Sequence, residues 1–188
     1  AISKSGQILG IEIDDLTGIG PYSVYPRTSG IEANQIVNLT GAQYTCGNYR
    51  ANTAVVFQNK VPMCQYRAVG HPIATAVTEG LVDAAAAAIN MDPIEVRKEN
   101  LIPDDAYPHT AATGLSFESL SHHAALDRLV EMMDYTGLRL EQTHLREKGI
   151  YRGIGIATFI ELTNPSAMFY GVGGARISAQ DGCTLRLD

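Results

Sequence analysis

The first third of the chain alternates short apolar runs with turns, as strands and loops do. Isoleucines alternate with polar residues in residues 7–15, and this even spacing predicts a half-buried strand. A β-prone Ala-Val-Val-Phe run in residues 49–59 predicts a second strand. Residues 22–34 are loop-like, whereas residues 36–42 fit either a short strand or a helix. The pattern leaves that choice open.

Helical spacing replaces this pattern after Pro72. Apolar side chains recur at steps of three and four as far as Ile89, which predicts a long helix with one apolar face. Because alanine permits close approach, its alanine-rich part predicts that another element packs tightly against that face. The members of the face are Ile73, Val77, Leu81, Ala84, Ala85 and Ala88.

A second helix start follows at once. Asp92, Pro93 and Glu95 have the order of an N-cap, a first-turn proline and a capping-box acid, which predicts a short helix to about Asn100. After a loop at residues 103–114, we expect a helix capped by Ser116 or Ser121, an interruption at residues 135–137, and a mostly exposed amphipathic helix at residues 138–148. These helices are predicted from the helical spacing of their apolar residues.

The last part of the chain returns to strand-like patterns. Residues 153–162 form a nearly continuous apolar run, which is typical of a strand buried on both faces. Residues 174–179 and 183–187, joined by Asp181-Gly182, predict a hairpin. The fold class is therefore α+β, with mixed or antiparallel sheet strands at both ends of the chain and helices in the middle.

Composition narrows the class of protein. The 188 residues carry 14 Lys and Arg against 20 Asp and Glu, a net charge of −6, so no basic stripe exists for nucleic acid. No charge-free apolar run approaches about 18 residues, which argues against a transmembrane segment. The start has neither a Met nor a signal-peptide pattern, so we expect a piece of a longer polypeptide. Three cysteines without a CxxC pair predict buried, reduced thiols of a cytoplasmic protein.

Most candidate chemical groups have an ordinary structural explanation. Gly18-Ile19-Gly20 and Gly153-Ile154-Gly155 lack the third glycine of a dinucleotide loop and are typical of tight turns. His122 and His123 are adjacent on a helix and cannot both face one metal. Glu161 could be a buried carboxylate with a raised pKa, but a strand-end charge that reaches solvent is the favoured interpretation.

One loop is different. Arg67 lies between an aromatic residue and small residues, immediately before a helix N-terminus. Backbone N–H groups at a helix start, next to a guanidinium, form a natural cradle for an anion or a polar cofactor oxygen. The alternative is an ordinary loop with a solvated arginine.

Three motifs in this order resemble one family. Residues 66–72 read Tyr-Arg-Ala-Val-Gly-His-Pro, residues 79–83 read Glu-Gly-Leu-Val-Asp, and residues 91–102 contain Met-Asp-Pro-Ile-Glu-Val-Arg-Lys-Glu-Asn. They are similar to the Tyr-Arg-Gly-x-Gly-x-Pro loop and the Met-Asp-Pro-x-Glu-x-Arg-x-x-Asn helix of the molybdenum hydroxylases. These are the large subunits of xanthine dehydrogenase, aldehyde oxidase and carbon monoxide dehydrogenase. The resemblance covers essentially the whole chain.

The resemblance implies that residues 1–188 are a single fragment of the molybdopterin-binding region. Within it, residues 1–71 would supply strands and the cofactor loop, residues 72–149 the helical part, and residues 150–188 further strands. By position in the motif, Tyr66, Arg67 and Ala68 would bind the molybdenum cofactor, and Val69 would face substrate. No catalytic residue and no metal ligand is carried over, because the family's general-base glutamate lies outside this chain.

The family's reaction is the hydroxylation of an aldehyde or N-heteroaromatic carbon with water as the oxygen source. The resemblance implies iron–sulfur clusters and FAD in partner domains or subunits, a small-molecule substrate, and allows a homodimer of the full enzyme. We expect the isolated fragment to fold at least partly and to be inactive. The alternative is a non-catalytic homologue, in which the same fold serves as a scaffold or assembly module.

Departures from the family pattern bear on the substrate. Ala68 stands where glycine is usual and where members that oxidise carbon monoxide have cysteine, which argues against that activity. Val69 stands where purine-oxidising members have a stacking aromatic, which makes a purine substrate less favoured. His71 stands where the family often has Arg or Gly, and we draw no prediction from this difference.

Overall fold

Five α-helices and two small sheets form the described part of the computed structural model, which covers residues 1–24, 30–64, 66–161 and 184–186. The strands are β1 (Ile11–Gly18), β2 (Tyr49–Val56), β3 (His109–Thr110) and β4 (Ser116–Phe117). The helices are α1 (Ile31–Leu39), α2 (His71–Ile89), α3 (Pro93–Asn100), α4 (His122–Met132) and α5 (Tyr135–Glu147). This mixture confirms the α+β class.

The N-terminal half is built around a parallel strand pair. β1 pairs with β2 from Ile11 opposite Tyr49 to Gly18 opposite Val56, whereas β3 and β4 are antiparallel. Parallel neighbours need a crossover, and α1 lies in that connection. The helix therefore settles the open choice at residues 36–42, and the loop predicted at residues 22–34 is wrong at its end because α1 begins at Ile31. The second predicted strand is confirmed.

The buried face of α2 differs from the predicted one. Ile73, Val77 and Leu81 are 40%, 37% and 50% exposed. Two polar residues of α2 are buried instead. Thr78 Oγ accepts the Gly41 N–H at 2.9 Å, and Glu79 is also buried. By length and composition α2 could cross a membrane, and 28% of its most apolar window is buried inside the protein. The buried residues of α2 are His71, Ala74, Thr78, Glu79, Val82 and Ala86.

The core lies where α2, α3, α4 and α5 meet. It contains Tyr44, Val82, Ala86, Ile94, Val96, Leu101, Leu126 and Tyr135. The predicted cap of α3 is confirmed, since the Asp92 carboxylate accepts the Ile94 N–H at 2.8 Å. The predicted interruption before α5 lies slightly earlier, at Met133 and Asp134, and Asp134 has a positive φ of 49°. Ser121 occupies the N-cap position of α4, but its side chain makes no capping hydrogen bond.

The strand predicted at residues 153–162 is wrong for the part that the structure describes. Residues 151–161 are irregular, pair with no described strand, and are mostly exposed, apart from the buried Thr158. Side chains of other elements satisfy several of the segment's backbone groups instead of a neighbouring strand. Residue 162 and the predicted hairpin at residues 174–187 lie outside the described residues, apart from residues 184–186.

Candidate functional site

The loop at residues 66–70, hereafter the N-terminal loop of α2, presents its first two side chains to solvent. Tyr66 is 87% exposed, and the guanidinium carbon of Arg67 lies 5.4 Å from the centre of the Tyr66 ring. An exposed cation–π contact of this kind contributes about 0.5–1 kcal/mol. The Arg67 guanidinium makes no hydrogen bond or ion pair with the described residues. Its charge is therefore free to meet a ligand.

The backbone of this loop is strained at the two following residues. Ala68 and Val69 have φ values of 54° and 57°, in the left-handed region. Side chains with a Cβ avoid this region, and a β-branched residue such as valine avoids it most strongly. Such a conformation costs of order 1–3 kcal/mol per residue and persists only where surrounding contacts impose it. The strain at Ala68 also explains why a glycine is usual at this position of the motif.

Contacts from α1 and α2 impose that conformation. His71 donates from its backbone N–H and from its ring Nδ1 to the Ala68 carbonyl, at 3.0 and 2.6 Å. The Gly70 N–H donates to the buried Gln35 Oε1 at 2.8 Å. Gly70 also packs directly on α1, since a Cβ built on it would lie 2.5 Å from the Glu32 carbonyl oxygen. The loop is therefore held by its two flanking helices.

The loop offers a positive, donor-rich surface. Among the described residues, no acceptor pairs with the Ala68 N–H. The N-terminus of the 19-residue helix α2 adds the positive end of its macrodipole, and Pro72 in its first turn removes an N–H that would need a partner. Together with the Arg67 guanidinium, these groups suit an anionic or acceptor-rich ligand.

A second polar centre, which we term the anchor cluster, is buried about the Glu79 carboxylate and comprises Gln43, Tyr44, Glu79, Arg97 and Thr158. Glu79 Oε1 accepts from the Tyr44 hydroxyl at 2.8 Å, the Gln43 amide at 3.1 Å and the Thr158 hydroxyl at 3.1 Å. Its Oε2 accepts from the Arg97 Nε at 2.9 Å and the Thr158 N–H at 3.0 Å. The carboxylate therefore joins α2, α3 and residues 151–161.

Arg97 completes this cluster although it is 0% exposed. One terminal nitrogen donates to the Asp83 carboxylate at 2.8 Å and to the Pro93 carbonyl at 3.0 Å. The other lies 2.8 Å from Glu79 and donates to the Ile156 carbonyl at 2.8 Å. A buried guanidinium is tolerated when its donors are paired in this way.

The electrostatics agree with a closed, charged cluster. Burial raises the pKa of Tyr44 well above its ordinary value, and the nearby negative charge of Glu79 raises it further. Burial alone would lower the pKa of Arg97, but Glu79 and Asp83 outweigh this and raise it. Tyr44 is therefore neutral and Arg97 charged at any physiological pH. The polar atoms of the cluster hydrogen-bond to one another and to nearby backbone groups, so the cluster stabilises the packing of α2, α3 and residues 151–161.

Sequence reasoning missed this cluster as a unit. Glu79 and Arg97 both lie in the recognised motifs, but nothing in the local pattern indicates that their charges are buried against each other. The available signal was the position of a glutamate on the apolar helix α2, seven residues after the arginine-containing motif ends at Pro72. A charge at such a position needs a partner.

The other candidate groups do not form a site. Glu161 is 43% exposed, in agreement with the favoured solvent-reaching charge, and its Oε1 lies 3.9 Å from His71 Nε2. No three metal-ligating side chains converge among the described residues. Cys46 and Cys64 are free, but Cys64 is exposed and Cys46 only partly buried, so the prediction of buried thiols is wrong for both. Cys183 lies outside the described residues.

Comparisons with known proteins agree on one family. The family model described as "Molybdopterin cofactor-binding domain" matches residues 1–101. The chain is 31% identical to the nicotine 6-hydroxylase large subunit of Paenarthrobacter nicotinovorans, over 100% of the chain and 23% of that protein. It is 26% identical to the carbon monoxide dehydrogenase large chain of Hydrogenophaga pseudoflava, over 100% of the chain and 24% of that protein.

The fold has the same relatives. Quinoline 2-oxidoreductase from Pseudomonas putida 86 superposes with a TM-score of 0.86 at 25% identity, over 95% of the chain and 23% of that protein. The aldehyde oxidoreductase of Desulfovibrio gigas gives a TM-score of 0.58 at 26% identity, over 79% of the chain and 15% of that protein. The chain thus spans less than a quarter of the length of each of these relatives.

Proposed function

The chain belongs to the molybdopterin cofactor-binding family of the molybdenum hydroxylases, and we propose that its N-terminal loop of α2 binds the molybdenum cofactor. The observation that carries the proposal is the exposed Arg67 guanidinium beside the Ala68 N–H, neither with a hydrogen-bond partner among the described residues, on a backbone held in a strained turn. Residues held in this way at a surface are typical of binding loops on a rigid support.

The donors of this loop fit the chemistry of the group. Molybdopterin carries a phosphate and a dithiolene, which accept hydrogen bonds and favour positive charge. Arg67 would bind and orient it, the Ala68 N–H would donate to it, and the exposed Tyr66 ring would cover it. When bound, the molybdenum centre supplies two-electron oxidation, and the chain supplies binding and orientation. Val69, whose side chain is half-buried, would lie on the substrate side.

For the whole protein we propose a catalytic large subunit that hydroxylates an aldehyde or N-heteroaromatic carbon, with water as the oxygen source. Support comes from the names of the relatives, among them a nicotine 6-hydroxylase, a quinoline 2-oxidoreductase and an aldehyde oxidoreductase. Ala68 makes carbon monoxide a less favoured substrate, and Val69 makes a purine less favoured. The 188 residues alone would be inactive, because they carry no catalytic group of the reaction.

Partner subunits belong to the same proposal. Several relatives are named as subunits or chains of larger enzymes, which supports partners for this protein. We propose that iron–sulfur clusters and FAD in those partners receive the electrons. A homodimer of the full enzyme, and a cytoplasmic location, stay predictions.

The test is the cofactor content of the native polypeptide that carries these residues, made in a host that synthesises the cofactor. We expect near-stoichiometric molybdenum by elemental analysis and pterin by fluorescence after oxidation. Arg67→Ala should weaken cofactor retention about tenfold. The matched control is Arg128→Ala, because Arg128 is exposed and, among the described residues, pairs only with Glu131 on its own helix. A folded protein without metal and pterin would favour the scaffold alternative.

A further inference from the structure

His71 is the first residue of α2 and directly follows the N-terminal loop of α2. Its polar side chain is buried. It is 5% exposed. Its Nδ1 lies 2.6 Å from the Ala68 carbonyl oxygen. Because a carbonyl oxygen only accepts, Nδ1 carries the proton and donates it in this bond. The two nitrogens of the ring are therefore distinct, and one of them is committed to the loop.

The bond acts on the strained part of the loop. The Ala68 carbonyl belongs to the peptide that joins Ala68 and Val69, the two residues with positive φ. His71 holds this carbonyl twice, since its backbone N–H also donates to it at 3.0 Å. Two donors from one residue restrict rotation of that peptide. A loop left without the ring donor would relax towards ordinary φ values and turn the Arg67–Ala68 peptide away from its present direction.

The second ring nitrogen is unpaired. His71 Nε2 is buried without a hydrogen-bond partner among the described residues, and the Glu161 carboxylate lies 3.9 Å from it. At that separation the pair makes no hydrogen bond. The hydrogen bond from Nδ1 therefore holds the ring in its position, whereas Nε2 makes no hydrogen bond with the described residues. This difference makes the two nitrogens separable by mutation.

We infer that His71 is a positioning residue for the molybdenum cofactor, acting through its Nδ1 bond to the Ala68 carbonyl. The inference rests on the function proposed above. His71 does not touch the cofactor. It keeps the Ala68–Val69 peptide in the turn that directs the Ala68 N–H and the Arg67 guanidinium towards the group they bind.

The test compares two amide substitutions in the native polypeptide. In His71→Asn the side-chain amide takes the place of Nδ1 and keeps a donor for Ala68. In His71→Gln the longer amide takes the place of Nε2 and loses that donor. We expect His71→Asn to retain molybdenum and pterin within about twofold of the wild type, and His71→Gln to bind the cofactor about tenfold more weakly, the usual effect of losing a supporting hydrogen bond.

His122 provides a matched control. It also begins a helix, its Nε2 lies 3.1 Å from the Phe159 carbonyl, and its Nδ1 is buried without a hydrogen-bond partner among the described residues. In the same part of the chain, no hydrogen bond or ion pair joins His122 to residues 66–70. His122→Asn and His122→Gln should therefore leave the cofactor content unchanged. His122→Asn is the variant that loses the ring donor to Phe159, so a similar loss of cofactor in His122→Asn would overturn the assignment to the loop.

Hydrogen exchange gives a readout that does not depend on the cofactor. Amides of residues 66–71 should exchange faster in His71→Gln than in His71→Asn, whereas those of α3 should be equal in both, which shows that both variants fold. Equal loss of cofactor in the two variants, or wild-type content in His71→Gln, would overturn the inference. If the wild type itself lacks cofactor, the proposed function fails, while the exchange difference still tests the Nδ1 bond.

Discussion

The anchor cluster and the N-terminal loop of α2 lie close together along the chain but are built in opposite ways. In the anchor cluster the charged side chains of Glu79 and Arg97 are 5% and 0% exposed, and every donor of the guanidinium is paired. In the loop, Tyr66 and Arg67 are exposed and the next two residues are strained. The Arg67 guanidinium and the Ala68 N–H have no hydrogen-bond partner in the part of the chain that the structure describes, while contacts from α1 and α2 fix the loop's backbone. Binding loops generally combine local strain with a stable support in this way.

The same division runs through the recognised motifs. Asp92 caps α3 and accepts the Tyr135 hydroxyl at 2.9 Å. Arg97 belongs to the anchor cluster. Asn100, which is 0% exposed, donates to the Gly6 carbonyl and accepts the Ile8 N–H, both at 2.7 Å, and so ties residues 6–8 to α3. The motif at residues 91–102 is therefore a folding motif, whereas the motif at residues 66–72 carries the residues that we propose bind the cofactor.

Breaking the anchor cluster should have the largest effect. Glu79→Gln removes the charge that faces the buried Arg97 and places an amide against donors. Removal of one member of a buried ion pair costs about 3–5 kcal/mol of stability. We expect this loss in the local opening free energy of α2 and residues 151–161, measured by hydrogen exchange on the native polypeptide.

Asp83→Asn is the matched control, because Asp83 pairs with the same guanidinium but is 48% exposed. A surface pair contributes about 0–1 kcal/mol, so this variant should lose little. Equal losses in the two variants would show that the buried position of Glu79 does not matter.

The contact between loop and α1 should give the next largest effect. Gly70→Ala would place a Cβ 2.5 Å from the Glu32 carbonyl and 2.9 Å from the Ile36 nitrogen, both backbone atoms. We expect a loss of about 1–3 kcal/mol as the loop moves away from α1, together with loss of cofactor. Gly80→Ala in the same helix has nothing within 4 Å and should instead stabilise α2 by up to about 1 kcal/mol. Thermal unfolding and cofactor content of both variants test this difference in sign.

Relief of the loop strain should give a smaller gain. Ala68→Gly places a residue without Cβ at φ 54° and should stabilise the loop by about 0.5–1 kcal/mol. Ala87→Gly, at an exposed position within α2, should destabilise by about 1 kcal/mol because glycine disfavours helix. Hydrogen exchange of residues 66–71 and of α2 measures both. A destabilising Ala68→Gly would contradict the assignment of strain to this residue.

The smallest expected effect comes from the ionisation of Tyr135, which changes stability only at alkaline pH. Burial, and then the hydrogen bond to Asp92, raise the pKa of Tyr135 to about 12 from its ordinary value of 10.0. The unfolded chain loses this proton near pH 10 and the folded chain only near pH 12, so the contribution of Tyr135 to stability is constant below about pH 10 and falls between about pH 10 and 12. Tyr135→Phe should reduce this decline in urea-unfolding series. Replacement of the exposed Tyr151 should leave the decline as it is in the wild type.

The sequence alone predicted the candidate loop at residues 66–70 but not the buried contacts that hold it in place. The capping residues of α3 and the spacing of α2 gave the helices, because these signals are local. The buried face of α2 was wrong because periodicity places apolar residues inward, whereas Thr78 and Glu79 are buried through partners supplied by distant segments. The strand at residues 153–162 was wrong for a related reason: its apolar run suggested a sheet, but Glu79 and Arg97 bind its backbone instead.

The most direct test is hydrogen exchange of the native polypeptide with its cofactor bound and after the cofactor has been removed. We expect residues 66–71 to lose protection when the cofactor is removed, while α3 and the Thr158 amide stay protected, because the anchor cluster supports the loop without needing the ligand. Unchanged exchange at residues 66–71 would contradict the assignment of this loop to cofactor binding. Loss of protection in the anchor cluster to the same extent would contradict its role as an independent support.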